Sequence, residues 1–188
     1  MPPKVKINKE AIVRAAVELV REQGEGALNA RNLAARLQCS TQPIFSNFAT
    51  MRELRDAVIA EAYLLYQRIT QGEVESGVYP AYKASGMAYI RFAAEEKSLF
   101  QLLYMRDRTD ETIDDGDQEL APIIAMVQQG TGLSQENARL FHLEMWATVH
   151  GIASMIATGY LTLDTALIGR MLTDTYQGLK KYYAERGE

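Results

Sequence analysis

Residues 29–48 read Asn-Ala-Arg-Asn-Leu-Ala-Ala-Arg-Leu-Gln-Cys-Ser-Thr-Gln-Pro-Ile-Phe-Ser-Asn-Phe, a pattern that admits few folds: two short helices broken by a tight turn. Asn29 stands where an N-cap is needed, and Ala30, Leu33, Ala34 and Leu37 make an inward face at helical spacing. Gln38-Cys39-Ser40 forms the turn, with Cys39 as a small apolar plug between the helices. The second helix covers about 41–48, with Ile44 and Phe48 four apart and facing inward. Gln42, Phe45, Ser46 and Asn47 are then left pointing outward. Such a pair has the layout of a helix-turn-helix, whose second helix lies in the major groove of DNA. Outward polar and aromatic groups there suit base edges, thymine methyls and phosphates. An ordinary helical hairpin in a core is the alternative, and the flanking sequence speaks against it.

Upstream, Ile12, Ala15, Ala16, Leu19 and Val20 recur at helical spacing and stop at Gly24. Downstream, Thr50-Met51-Arg52-Glu53 is a capping box that opens a long helix to about residue 70. The first helix buttresses the pair, and the free N–H groups at 50–52 form a natural phosphate anchor.

This arrangement resembles the TetR-type one-component transcriptional regulators. The resemblance rests on the apolar helix ending at Gly24, on Arg31 and Leu33-Ala34, on the turn and short helix from Ser40 to Phe48, and on Arg52-Glu53-Leu54. It spans roughly residues 8–65. Four positions depart from the family pattern. Gln38 replaces the turn glycine, so either it accepts a left-handed backbone at a modest cost or the turn differs. Phe45 replaces a phosphate-binding tyrosine and loses its hydroxyl, Pro43 replaces a Thr or Ser, and Met51 replaces a lysine with Arg52 beside it. With the outward face and the charge placement, the expected DNA contacts are Lys6, Arg31, Thr41, Gln42, Pro43, Phe45, Ser46, Asn47, Thr50 and Arg52, on double-stranded operator DNA.

Charge is distributed to match. Residues 1–55 hold nine Lys/Arg against five Glu, net +4, so the remainder carries −8 of the chain's overall −4. An acidic chain average would discourage nucleic-acid binding, but the asymmetry restores it. Lys4, Lys6 and Lys9 read as a basic N-terminal arm able to reach phosphates or the minor groove, or else as a solvated terminus.

A chain of 188 residues fits one small and one mid-sized domain, expected at 1–55 for DNA binding and 56–188 for ligand binding and dimerisation. The single Cys39 forbids an intrachain disulfide, and the start, Met-Pro-Pro-Lys, lacks a signal-peptide pattern, so a cytoplasmic location is expected. The uncharged stretch 145–163 has the length of a membrane span, but its histidine, glycines and hydroxyls favour a helix buried in a soluble assembly, so no membrane contact is expected.

The remainder is helical by pattern. A break is expected at 72–80, then helices at about 81–96 and 98–104, and an acidic, solvated, mobile loop at 107–119. Helices follow at about 118–129, from a Ser134 cap to about 158 as the longest in the chain, and at about 164–184. The fold class expected is therefore all-α, a three-helix helix-turn-helix domain joined to a larger helical domain. Trp146-Ala-Thr-Val-His150-Gly151 also resembles one subtype of TetR ligand domain, marked by Trp-x-x-x-His-Gly.

Catalytic chemistry is scarce. His142 and His150, about 80° apart on a helix, make a poor metal pair, and no Asp/Glu/Cys set or Gly-rich phosphate loop completes a site. No enzyme, metal or cofactor is expected. An aromatic set suits a small apolar or aromatic effector, with Tyr89, Phe92, Phe100, Tyr104, Val127, Trp146 and His150 as its contacts. The small residues Ala147, Gly151, Ser154 and Thr158, with Ile168, Met171, Leu172 and Leu179 on the last helix, are expected to form a homodimer interface as a four-helix bundle. The reading is a ligand-responsive regulator, a repressor released by its effector. A DNA-binding regulator governed by a protein partner, or by no ligand, stays open beside it.

Overall fold

The computed structural model describes residues 7–107, 109 and 117–186. Among these there are nine α-helices and no strand: α1 Lys9–Gln23, α2 Ala30–Arg36, α3 Gln42–Asn47, α4 Met51–Glu75, α5 Ala81–Glu95, α6 Lys97–Tyr104, α7 Asp117–Thr131, α8 Gln135–Ala157 and α9 Thr165–Glu185. A 3-10 turn, Glu25–Ala27, links α1 and α2. The longest helix is α4, with 25 residues against 23 in α8, which corrects the expectation for the helix after Ser134. It runs through Gly72 to Glu75 and past the expected break; one helical glycine costs only about 1 kcal/mol relative to alanine. Most of the acidic loop expected at 107–119 lies outside the described residues, as do Lys4 and Lys6. No helix among the described residues is long and apolar enough to cross a membrane.

Local signals set the ends. Side chains of Asn8, Asn29, Ser134 and Asp164 each accept a hydrogen bond from the backbone N–H three residues on, capping α1, α2, α8 and α9. Gly24 and Gly159 leave helices at φ 79° and 72°, a region open to glycine. After α2 the chain makes a Schellman turn: Gln38 N–H bonds the Ala35 carbonyl at 3.1 Å and Cys39 N–H the Ala34 carbonyl at 3.0 Å. Gln38 is the non-glycine residue in the left-handed region, at φ 52°.

Packing divides the chain into two compact units, 1–67 with 96–106, and 68–95 with 107–188. The first unit therefore includes α6, and its border falls inside α4. Its core holds Ile12, Ala16, Leu19, Val20, Leu33, Ile44, Phe48, Leu54 and Val58, supplied by the inward faces of α1 to α4. In the second unit α8 packs against α5, α7 and α9. Gly86 permits the close approach there: an added Cβ would sit 3.4 Å from both Leu172 and Val149.

Candidate DNA-binding face and candidate effector site

The outward face of the first unit is defined by what its charges do not bind. Arg36 holds Glu22 through two hydrogen bonds of 2.7 Å, and Arg55 reaches Glu25 at 2.6 Å. Arg21 grips Glu96 at 2.7 and 3.1 Å and also pairs with Glu18, and the Glu96 hydrogen bond raises its pKa further. Lys9 bonds Glu53 at 3.2 Å and sits over the Phe48 ring, 4.7 Å from its centre. These pairs fasten α1 to α2, α4 and α6. Arg14, Arg31 and Arg52 are exposed and have no partner among the described residues.

Helix α3 places Ile44 and Phe48 in the core and leaves Gln42 and Phe45 exposed, Phe45 at 49 %. Thr41 is exposed and its hydroxyl caps nothing. Pro43 is half-buried at the first turn, where its missing N–H costs nothing. Ser46 is exposed, with its hydroxyl donating to the Gln42 carbonyl at 2.9 Å.

Asn47 differs from the sequence expectation. Its side-chain amide donates to the Pro43 carbonyl at 2.8 Å and to the Ile7 carbonyl at 3.4 Å, so it is half-buried and turned inward. The carbonyl four residues back lies within reach of a short polar side chain, which takes it instead of facing water.

At the start of α4, Thr50 Oγ accepts from the Glu53 N–H at 3.1 Å, while Glu53 accepts from the Ala49 N–H at 2.8 Å. The box is thus shifted by one residue from its ideal form. The Ala49 N–H and then Lys9 lower the Glu53 pKa. Thr50 and Arg52 are exposed beside it.

The residues expected at the effector site fall in two units. Phe100 and Tyr104 belong to the first, with ring centres 5.2 Å apart, and Tyr104 meets Tyr66 edge-on at 6.1 Å. The others belong to the second. There the Tyr89 hydroxyl and His150 Nδ1 are 2.9 Å apart, and Trp146 stacks on His150 at 4.9 Å with an interplanar angle of 18°. Burial lowers the His150 pKa, keeping the ring neutral. Phe92 is fully buried, while Trp146 is 41 % exposed. Val127 joins a different group, packed with Ile124, Phe141, Met145 and Tyr183.

Sequence reasoning missed a second tyrosine–histidine pair, in which the Tyr82 hydroxyl lies 3.0 Å from His142 Nδ1. Burial lowers the His142 pKa and raises that of Tyr82. The signal was present: two tyrosines seven apart on α5 face two histidines eight apart on α8, as parallel helices in register require. Among the described residues no group of three or more His, Cys, Asp or Glu is placed to hold a metal.

On α8, Ala147 and Thr158 are exposed and Gly151 and Ser154 half-buried, with Leu140 and Leu143 extending the same exposed side. On α9 the expectation needs correcting. Ile168 and Leu172 are only 6 % and 3 % exposed because they face their own chain, and Leu179 packs against the Phe141 group. Met171 is half-buried and Leu167 exposed.

A helix-turn-helix carrying exposed, unpaired arginines, together with an all-helical remainder, defines the class by fold: a helix-turn-helix protein. Residues 82–176, half the chain, match the family described as tetracyclin repressor-like, C-terminal domain. The chain belongs to that family. An uncharacterised HTH-type transcriptional regulator of Mycobacterium tuberculosis is 23 % identical over 165 residues, covering 85 % of this chain and 75 % of the relative. In fold the chain is similar to a TetR-like transcriptional regulator from Rhodococcus sp. RHA1, with TM-score 0.69, 14 % identity and 100 % of both chains covered. It is similar also to the multidrug binding protein EbrR complexed with imidazole, with TM-score 0.62, 16 % identity and 93 % and 94 % coverage.

Proposed function

We propose that this regulator is a cytoplasmic homodimeric repressor that binds operator DNA and is released by a small apolar or aromatic effector. The observation that carries the DNA-binding part is the outward α3 face, with Arg31 and Arg52 exposed and unpaired while Arg21, Arg36 and Arg55 are held by Glu96, Glu22 and Glu25. The division of labour is DNA binding by residues 1–55 and ligand binding and dimerisation by 56–188. Gln42 and Phe45 face bases, and Arg31, Thr41, Thr50 and Arg52 face phosphates, with Ser46, Pro43 and the Lys6 arm alongside. Asn47 holds α3 to the root of that arm at Ile7.

In a dimer, two recognition helices fit successive major grooves when about 34 Å apart, one helical turn. An effector that prefers a state with another spacing weakens binding by mass action; a tenfold effect takes about 1.4 kcal/mol of differential affinity. The Tyr89–His150–Trp146 group supports the effector reading, since it combines an apolar wall with a polar tip and makes Trp146 fluorescence a direct reporter.

The α8 face supports the dimer. An added Cβ at Gly151 meets nothing within 4 Å of its own chain, so a side chain there leaves the protomer backbone in place and Gly151→Leu is directed at a partner. Monomers of that variant in sedimentation are the expected result, and a stable dimer would count against this face. Selection of bound duplex from a random pool, followed by a thermal-shift screen of small molecules, tests the whole reading. A selected duplex that no compound releases would favour control by a protein partner.

A further inference from the structure

On helix α3 the polar side chains are largely spent on their own backbone. The Ser46 hydroxyl hydrogen goes to the Gln42 carbonyl, and both amide donor contacts of Asn47 go to the Pro43 and Ile7 carbonyls. What remains outward on one side, three residues apart, is Gln42 and the half-exposed ring of Phe45. A ring without a hydroxyl donates nothing to a phosphate. In the major groove it can tell bases apart through the one apolar group displayed there, the C5-methyl of thymine. Arg31 and Arg52, unpaired and exposed, supply the charge complementarity that brings this face to a duplex.

We infer that Phe45 is a specificity-determining residue that reads thymine C5-methyl groups, so that each half-site contains one or more thymines whose methyl, rather than any hydrogen-bonding edge, is recognised at Phe45. This rests on the DNA-binding reading above and adds to it the chemical group that is read.

The test uses the full chain and the duplex it selects from a random pool. That duplex is remade with deoxyuridine at each thymidine in turn, which removes only the methyl. Binding to the native chain should weaken roughly fourfold per contacted methyl, the value of one buried carbon. Phe45→Ala, at an exposed position, should bind both duplexes alike. Native binding indifferent to every replacement overturns the inference, as does an equal loss in both proteins. Should Phe45→Ala bind no duplex, 5-bromodeoxyuridine at the sensitive position decides. Its bromine is methyl-sized and photoreactive, so affinity should return and the ultraviolet crosslink should map to Phe45. A crosslink mapped elsewhere overturns the assignment. If the pool yields no duplex, the DNA-binding reading itself falls, and this inference with it.

Discussion

In the first compact unit, elements distant in sequence are joined by ion pairs: Arg21 to Glu96, Arg36 to Glu22, Arg55 to Glu25 and Lys9 to Glu53. In the second, charge also enters, at Arg91 to Glu73, Lys180 to the Gly130 carbonyl and Tyr183 to Glu144, but it stands beside neutral joints: Tyr82 to His142, Tyr89 to His150, and the Phe141 ring against those of Tyr176 and Tyr183. The difference follows from burial. The Arg36–Glu22 and Lys9–Glu53 pairs lie at the surface, where water and salt screen them, so they contribute orientation more than stability. The tyrosine–histidine pairs are more enclosed, where neutral partners avoid the cost of desolvating charge. A functional consequence attaches to the first arrangement. Arg21, Arg36 and Arg55 are taken up by these pairs, while Arg14, Arg31 and Arg52 stay exposed.

The comparison can be pressed hardest at Phe141, which is fully buried between Tyr176 and Tyr183. Phe141→Ala should cost about 3–5 kcal/mol, measured by urea denaturation. A loss no larger than that of a surface substitution would mean that the aromatic cluster does not carry the second unit.

Next in size is the strained turn of the first unit. Gln38→Gly should raise stability by about 1 kcal/mol, because glycine adopts φ 52° without a Cβ clash. A fall in melting temperature would show that the Gln38 side chain contributes more than its backbone costs.

The neutral histidines predict a pH dependence confined to the second unit. The His142 pKa lies below its ordinary value of 6.5 in the folded chain. The unfolded chain therefore takes up the proton first, and stability, full above pH 6.5, declines as pH falls through that value toward the folded pKa. His142→Phe should flatten the melting-temperature profile between neutral and mildly acid pH. An unchanged slope would place the effect on other groups.

The smallest change is expected at the ion pairs. Arg36→Gln should leave denaturation almost unaltered at 1 M salt, where screening has already removed the Glu22 attraction. A large loss there would break the contrast between the two units.

Much of the fold was legible in the chain because its signals are local. Asn29, Thr50, Ser134 and Asp164 cap within three residues, and Gly24 and Gly159 stop helices through their own φ. At Gln38 the sequence left two turns open, and the structure takes the left-handed one, at φ 52°. The candidate site was legible in part: Gln42 and Phe45 face outward as their spacing from Ile44 and Phe48 requires.

What the sequence by itself determined was the helical order, the helix ends that carry a local cap and the presence of a helix-turn-helix, because each depends on residues within one or two turns of each other. Tertiary structure alone decided the rest. Asn47 turns inward partly because the carbonyl of Ile7, forty positions away, comes within reach. The apolar residues of α9, Leu167, Ile168, Met171, Leu172 and Leu179, form a stripe wide enough to face two ways. Only packing against α5 and α8 selected Ile168 and Leu172 for the protomer's own core and left Leu167 outside. Periodicity fixes which residues share a face of a helix; what that face meets depends on where distant parts of the chain arrive.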